Sequence, residues 1–298
     1  MGRQLLGVMS KREGLPRPDW DAIAERYEQL PESQRLAAWS TMERQWQEAL
    51  AAAWDGFSLY ASGNWLLTTD MSVEIAERLQ ASLHDATVRV ERMLGGVGLG
   101  PIGDPERFVD WPGHDIAVVC RDRDTYVDYI SDSFPDAYTG GMSGGVCIAD
   151  GAGHIVAWGQ DESSLQATLA HEIAHTRLSL YGIPLWFEEG LVMLLESSVT
   201  RQRWWEPTRE LVEEHQRYWN ADRLDRFFRG DGGFDSVDDG YALAYGLAAM
   251  LVQQLLDRGR KRMSPWVFAL EGGDMDGACR SVYGCELTDL LPAFVRST

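Results

Sequence analysis

Residues 165–196 read LQATLAHEIAHTRLSLYGIPLWFEEGLVMLLE. Leu165, Leu169, Ile173 and Leu180 recur at helical spacing, no proline interrupts 163–183, and Gly182 with Pro184 forms a stop. The helix carries His171-Glu172-Ile173-Ala174-His175, an H-E-x-x-H. Residues four apart lie one above the other on a helix, so His171 and His175 can offer two imidazoles to one metal ion. Glu172 sits roughly 100° around the helix from His171, beside the metal position and placed to act as a base. A catalytic zinc takes a third protein ligand and keeps a fourth position open. Pro184 opens the next helix, which offers Glu188, Glu189 and Glu196. Thirteen residues lie between His175 and Glu189, enough to end one helix, turn and start another.

HEIAH followed by PLWFEEGL resembles the gluzincin metallopeptidases, whose pattern is HExxH, a short helical return, then W-x-x-E-G-[LF]. The resemblance implies that Glu189, directly before Gly190, is the third ligand of a single Zn2+ per chain. Glu188 is the offset alternative, and Glu196, seven residues on, is a supporting group. It implies hydrolysis of peptide bonds in a peptide or protein substrate, with a zinc-activated water and Glu172 as general base. It also implies an α+β, zincin-like fold: a mixed sheet with an antiparallel edge hairpin and long helices, the HExxH helix, then a helical C-terminal lobe. In such a fold the edge strand before the HExxH helix binds substrate as an added strand. Gly144, Gly145, Val146 and Cys147 stand in that place. The aminopeptidase branch carries an acidic residue in a G-x-M-E-N stretch. Here Gly140-Gly141-Met142 is followed by Ser143-Gly144, so an endopeptidase-like activity is expected. A gluzincin needs a second electrophile for the oxyanion. Tyr241, Tyr245 and His215 are the candidates. Tyr241, in the first turn of its helix, ranks first; Tyr245 and His215 fit packing roles better.

Composition narrows the partners. The chain has 298 residues, 27 basic against 46 acidic, for a net charge of −19. That excess argues against nucleic acid and anionic membranes. No apolar run approaches a membrane span, and the N-terminus lacks a signal-peptide core, so a cytoplasmic protein is expected. The four cysteines fit neither a zinc knuckle nor a disulfide framework and are expected to be reduced, a Cys279–Cys285 bridge being the one pairing considered.

The pattern divides the chain into three regions: a helical extension over 1–55, an α/β part over 56–182 and a helical part over 183–298. Residues 1–15 read as a loose tail. Asp19 is expected to cap a helix over 20–30, and a second helix runs from Glu32 to about Trp54. Strands are read at 57–60, 65–68, 115–120, 145–149 and 154–158, the last two joined by an Asp150-Gly151 turn. A long helix is expected from a cap at Asp70 to about Leu94, stopped by Gly95-Gly96, with Val73 and Val88 on its apolar side. Further helices are read at 206–219 and from a cap at Asp238 or Asp239 through Val252, and two short ones flank Val282-Tyr283-Gly284. Trp204 and Trp205 fit a core better than a cleft. Gly141-Met142-Ser143-Gly144-Gly145 matches G-x-S-x-G, but a serine-hydrolase elbow needs a helix after the serine, and the residues after Ser143 are strand-like. The alternative to an enzyme is a zincin scaffold of weak or no turnover used for partner binding or sensing. A zinc hydrolase of small amides is a third reading.

Overall fold

The computed structural model describes residues 9–12, 15–99, 113–133, 144–201, 208–234, 240–270 and 273–296. Among the described residues the chain is mixed helix and sheet, in keeping with an α+β class, with one five-stranded sheet. It divides into two compact units: Met1–Thr87 with Glu106–Thr176, and Val88–Pro105 with Arg177–Thr298.

The first unit begins with a hairpin, β1 (Met9–Arg12) against β2 (Leu15–Pro18), where a loose tail was expected. Strand β2 is tied down because Arg17 donates to the Tyr129 carbonyl at 2.9 Å and lies 4.3 Å over its ring. Helix α1 (Trp20–Glu28) is capped by Asp19, whose carboxylate accepts from the Ala22 amide. Helix α2 (Glu32–Ala53) comes next and buries Met42, Trp46 and Leu50. Strands β3 (Ser58–Ser62) and β4 (Trp65–Thr69) form an antiparallel pair. Helix α3 (Val73–Gly96) then leads to β5 (Asp115–Cys120), α4 (Arg123–Ser133), β6 (Gly145–Ile148), β7 (His154–Trp158) and α5 (Glu162–Leu178).

The sheet order is β3-β4-β5-β7-β6. Its centre, β4-β5-β7, is parallel, and an antiparallel strand closes each edge. Parallel strands need crossovers, and parallel sheets are buried on both faces. Accordingly Ile116 through Cys120 are all buried. One face of β5 packs on Trp46 and Leu50 of α2 and on Tyr126, Tyr129 and Ile130 of α4. On the other, the Trp65 indole donates to Thr87 of α3 at 3.2 Å.

Asp70 does not cap α3. It ends a strand beside the exit of β5, and its carboxylate accepts from the Arg121 amide at 2.8 Å. The Ser72 carbonyl takes the first helical amides instead, so the helix starts later. Val73 and Val88, expected on the apolar side, are 54% and 38% exposed, because Ala76, Leu79, Leu83 and Val90 fill the buried stripe without them.

In the second unit the last turn of α3 runs through Gly95 and Gly96. The reversal comes at Gly98, whose φ of +78° lets the Leu99 amide reach back to the Leu94 carbonyl. The remaining helices are α6 (Leu185–Thr200), α7 (Arg209–Tyr218), α8 (Ala221–Arg229), α9 (Gly240–Asp257), α10 (Met263–Ala269), α11 (Met275–Tyr283) and α12 (Ala293–Arg296). Thr208 caps α7 through the Leu211 amide, so that helix starts after 206. Val282 and Tyr283 belong to α11, with Gly284 as its left-handed end. The core gathers on Trp186, which packs with Phe187, Phe227, Phe228 and Trp266. Gly140–Ser143, Trp204, Trp205, Asp238 and Asp239 lie outside the described residues. No helix among the described residues is long and apolar enough to cross a membrane. No disulfide joins the four cysteines, and burial pushes the Cys279 thiol up to about 11.

Candidate metal centre

Helix α5 forms because its apolar residues can be buried together: Leu165, Leu169, Ala170, Ile173 and Ala174 are fully enclosed. That fixes the rotation of the helix and leaves His171 and His175 half-buried on one face. Their Nε2 atoms lie 3.2 Å apart and their ring centroids 4.9 Å. Glu172 is buried, with 6% of its surface exposed.

After Leu178 the helix tightens into a 3-10 turn at Ser179–Tyr181 and stops at Gly182, which is left-handed at φ +56°. Pro184 then begins α6. Within α6, Trp186 and Phe187 are fully buried and Glu189 is 7% exposed, while Glu188 and Glu196 are half-buried. His171, His175 and Glu189 offer ligand atoms that all lie within 4.8 Å of one another. Two imidazoles and a carboxylate gathered in this way can hold a metal ion. Neither Glu188 nor Glu196 belongs to this group.

Gly190 has a physical role beside Glu189. A Cβ built on it would lie 2.4 Å from the Ala248 carbonyl oxygen and 2.8 Å from the Val252 side chain, both on α9. The α6–α9 contact therefore requires glycine here. Tyr241, Tyr245, Ala248 and Val252 succeed one another at helical spacing, so the two tyrosines share the α9 face that meets α6. Tyr241 is 43% exposed, and its ring centroid lies 4.6 Å from that of Tyr245. Tyr245 is half-buried and packs edge-on against Phe234.

His215 is fully buried in the second unit, where its Nδ1 accepts from the Trp219 indole at 3.0 Å. Burial lowers its pKa to about 4. A neutral ring used this way anchors α7, and the proton it carries is on Nε2.

Strand β6 is an edge of the sheet, so one side of its backbone faces away from β7. Gly144 and Gly145 lie against Thr168 and Glu172 of α5: a Cβ on Gly145 would be 2.6 Å from the Thr168 methyl and 3.1 Å from the Glu172 Cγ. Thr168 did not stand out in the sequence. Its signal was its place four residues before Glu172, on the same helical face.

A third buried acid, besides Glu172 and Glu189, was missed. Glu43 of α2 is 2% exposed; it accepts from the Trp39 indole at 2.7 Å and from the His114 amide at 2.8 Å. Burial raises its pKa to about 7 and lowers that of His114, so desolvation shifts both partners of the 3.1 Å contact towards their neutral forms. The clue was its position on the apolar stripe of Trp39, Met42, Trp46 and Leu50. His154 is likewise buried and held near pKa 4 by desolvation, with the Tyr129 hydroxyl at 3.0 Å and the Ala152 carbonyl at 3.1 Å.

No protein-family model matches the chain, and a search of curated proteins found no match.

Proposed function

We propose that this chain is a zinc-dependent metallopeptidase of gluzincin type with a zincin-like fold, endopeptidase-like and cytoplasmic. The observation that carries the reading is the convergence of His171, His175 and Glu189 within 4.8 Å. The donor set fits zinc: a tetrahedral ion with bonds near 2.05 Å spaces its ligand atoms about 3.3 Å apart, and the two Nε2 atoms stand 3.2 Å apart. His171, His175 and Glu189 would hold one Zn2+ per chain. Bound there, zinc would supply Lewis acidity and would acidify a water molecule towards neutrality.

The remaining work falls to the protein's own side chains. Glu172 accepts a proton from the attacking water and delivers it to the nitrogen of the leaving amine. Its burial keeps bulk water away from the carboxylate and strengthens that transfer. The edge strand Gly144–Cys147 binds an extended peptide by backbone pairing. Tyr241, exposed in the first turn of α9, donates to the oxyanion, and Tyr245 supports it.

The decisive experiment is a mixed-peptide digest by the wild type and Glu172→Gln, with metal analysis of both. Both should carry about one zinc per chain, and only the wild type should cleave. A protein that binds zinc yet cleaves no peptide belongs to the scaffold reading, and one that binds no metal ends the proposal.

A further inference from the structure

We infer that Gly145 is a positioning residue for Glu172: by lacking a side chain it lets the edge strand pass against the stem of the base and hold its carboxylate in place. The inference rests on the metallopeptidase reading, which makes Glu172 the base.

Gly145 opens β6, paired with Ala157 of β7, and the Trp158 amide donates to the Gly144 carbonyl at 3.1 Å. The strand's start is thus pinned to the sheet from one side. From the other it is met by α5, where Thr168 and Glu172 stand one turn apart on the same face. A Cβ on Gly145 would lie 2.6 Å from the Thr168 Cγ2, 3.1 Å from the Glu172 Cγ and 3.1 Å from the Val156 carbonyl oxygen, and one on Gly144 would lie 2.9 Å from the Thr168 Oγ1. Gly145 is not in the left-handed region, so it is space and not backbone freedom that demands glycine.

The Glu172 Cγ is the atom that matters. Its position is set by χ1, and the carboxylate hangs from it. A backbone wall against Cγ narrows the choice of χ1, so the carboxylate swings only through χ2 and χ3 from a fixed root. A base must stand within hydrogen-bond reach of the proton it takes, and a displacement of 1 Å can cost about 10²-fold in rate. The wall is also the strand on which the substrate pairs, so one segment sets both the base and the peptide.

A plainer role for the glycine is to let the strand close over the Thr168 methyl. Thr168→Ser removes that methyl and separates the two. The experiment uses the full zinc-loaded chain as Gly145→Ala, Thr168→Ser and the double variant. It measures zinc content, melting temperature, and kcat and KM on a peptide the wild type cleaves. The crystal structure of the double variant supplies the Glu172 rotamer. Thr168→Ser alone should keep wild-type kcat. Gly145→Ala should keep its zinc and its KM within about twofold while kcat falls about 10–10²-fold. The double variant should regain the melting temperature but not kcat, with Glu172 displaced from its wild-type rotamer. Recovery of kcat together with melting temperature, or an unmoved Glu172, would overturn the inference. If the wild type cleaves nothing, the peptidase reading fails by itself. The rotamer in the double variant still decides whether Gly145 holds Glu172.

Discussion

Glu172 and Glu189 are both buried acids beside a glycine, but the two glycines differ in what they clear. Gly190 clears backbone: a Cβ there would meet the Ala248 carbonyl of α9 at 2.4 Å. Gly145 clears side chains first, the Thr168 methyl at 2.6 Å and the Glu172 Cγ at 3.1 Å. A helix backbone held by its own hydrogen bonds cannot move aside, whereas a side chain can turn. The first glycine therefore guards the architecture of its helix pair, and the second guards the orientation of one carboxylate. The same residue type is needed twice for close approach, once for stability and once for geometry.

Gly190→Ala should break the comparison most violently. Forcing a methyl group into the α6–α9 contact should cost about 3 kcal/mol, the upper part of the usual overpacking range. Denaturant unfolding reads this directly, and zinc content should fall with it because Glu189 is the neighbouring residue. A variant of wild-type stability would show that α6 and α9 can slide apart.

The α9 face that meets Gly190 also carries the tyrosine pair. Tyr241→Phe should lower kcat by roughly 10²–10³, the cost of one lost oxyanion donor, with zinc content and melting temperature unchanged. Tyr245→Phe, which keeps the ring that packs on Phe234, should change kcat far less. The reverse ranking would move the donor one turn along the helix.

The stability cost of Gly145→Ala should be smaller, about 1 kcal/mol, because the first obstacle is a methyl group that can rotate. Thermal unfolding with and without Thr168→Ser checks it. A cost equal to that of Gly190→Ala would show that the Val156 carbonyl, not the methyl, is the obstacle.

Glu43 supplies a control, being a buried acid in the first unit outside the three-residue metal group. Its folded pKa is raised to about 7 by burial, above the ordinary value of 4.5. Between these values the folded state holds a proton that the unfolded state has released. Its contribution to stability therefore falls as pH rises from 4.5 to about 7 and is level above that. In Glu43→Gln this decline is absent. The melting temperature of the variant relative to wild type should rise across that window and then stay flat. A constant difference from pH 4.5 to about 8 would show that Glu43 titrates normally. His154 and His215, both lowered to about 4, act oppositely. Their contribution is present above the ordinary histidine value of 6.5 and is lost as pH falls towards 4, in wild type and variant alike.

Much of this was legible in local spacing. The i, i+4 placement of His171 and His175, the stop at Gly182 and Pro184, the Asp19 cap and the β6–β7 hairpin each depend on a few neighbouring residues. Helical and strand periods are properties of one short segment, so a sequence can declare them. Which acid of α6 joins the histidines was not declared by spacing alone, since Glu188, Glu189 and Glu196 all lie on that helix. The structure gathers Glu189 because the burial of Trp186 and Phe187 fixes how α6 is rotated. His215 in the core, Asp70 on the Arg121 amide and Val73 turned outward were likewise decided by what packs against them. The need for glycine at 145 is the clearest case. It arises from a strand and a helix packed so closely that a Cβ at 145 would lie 2.6 Å from the Thr168 methyl, and such closeness is the sum of every packing contact that brings the two segments together.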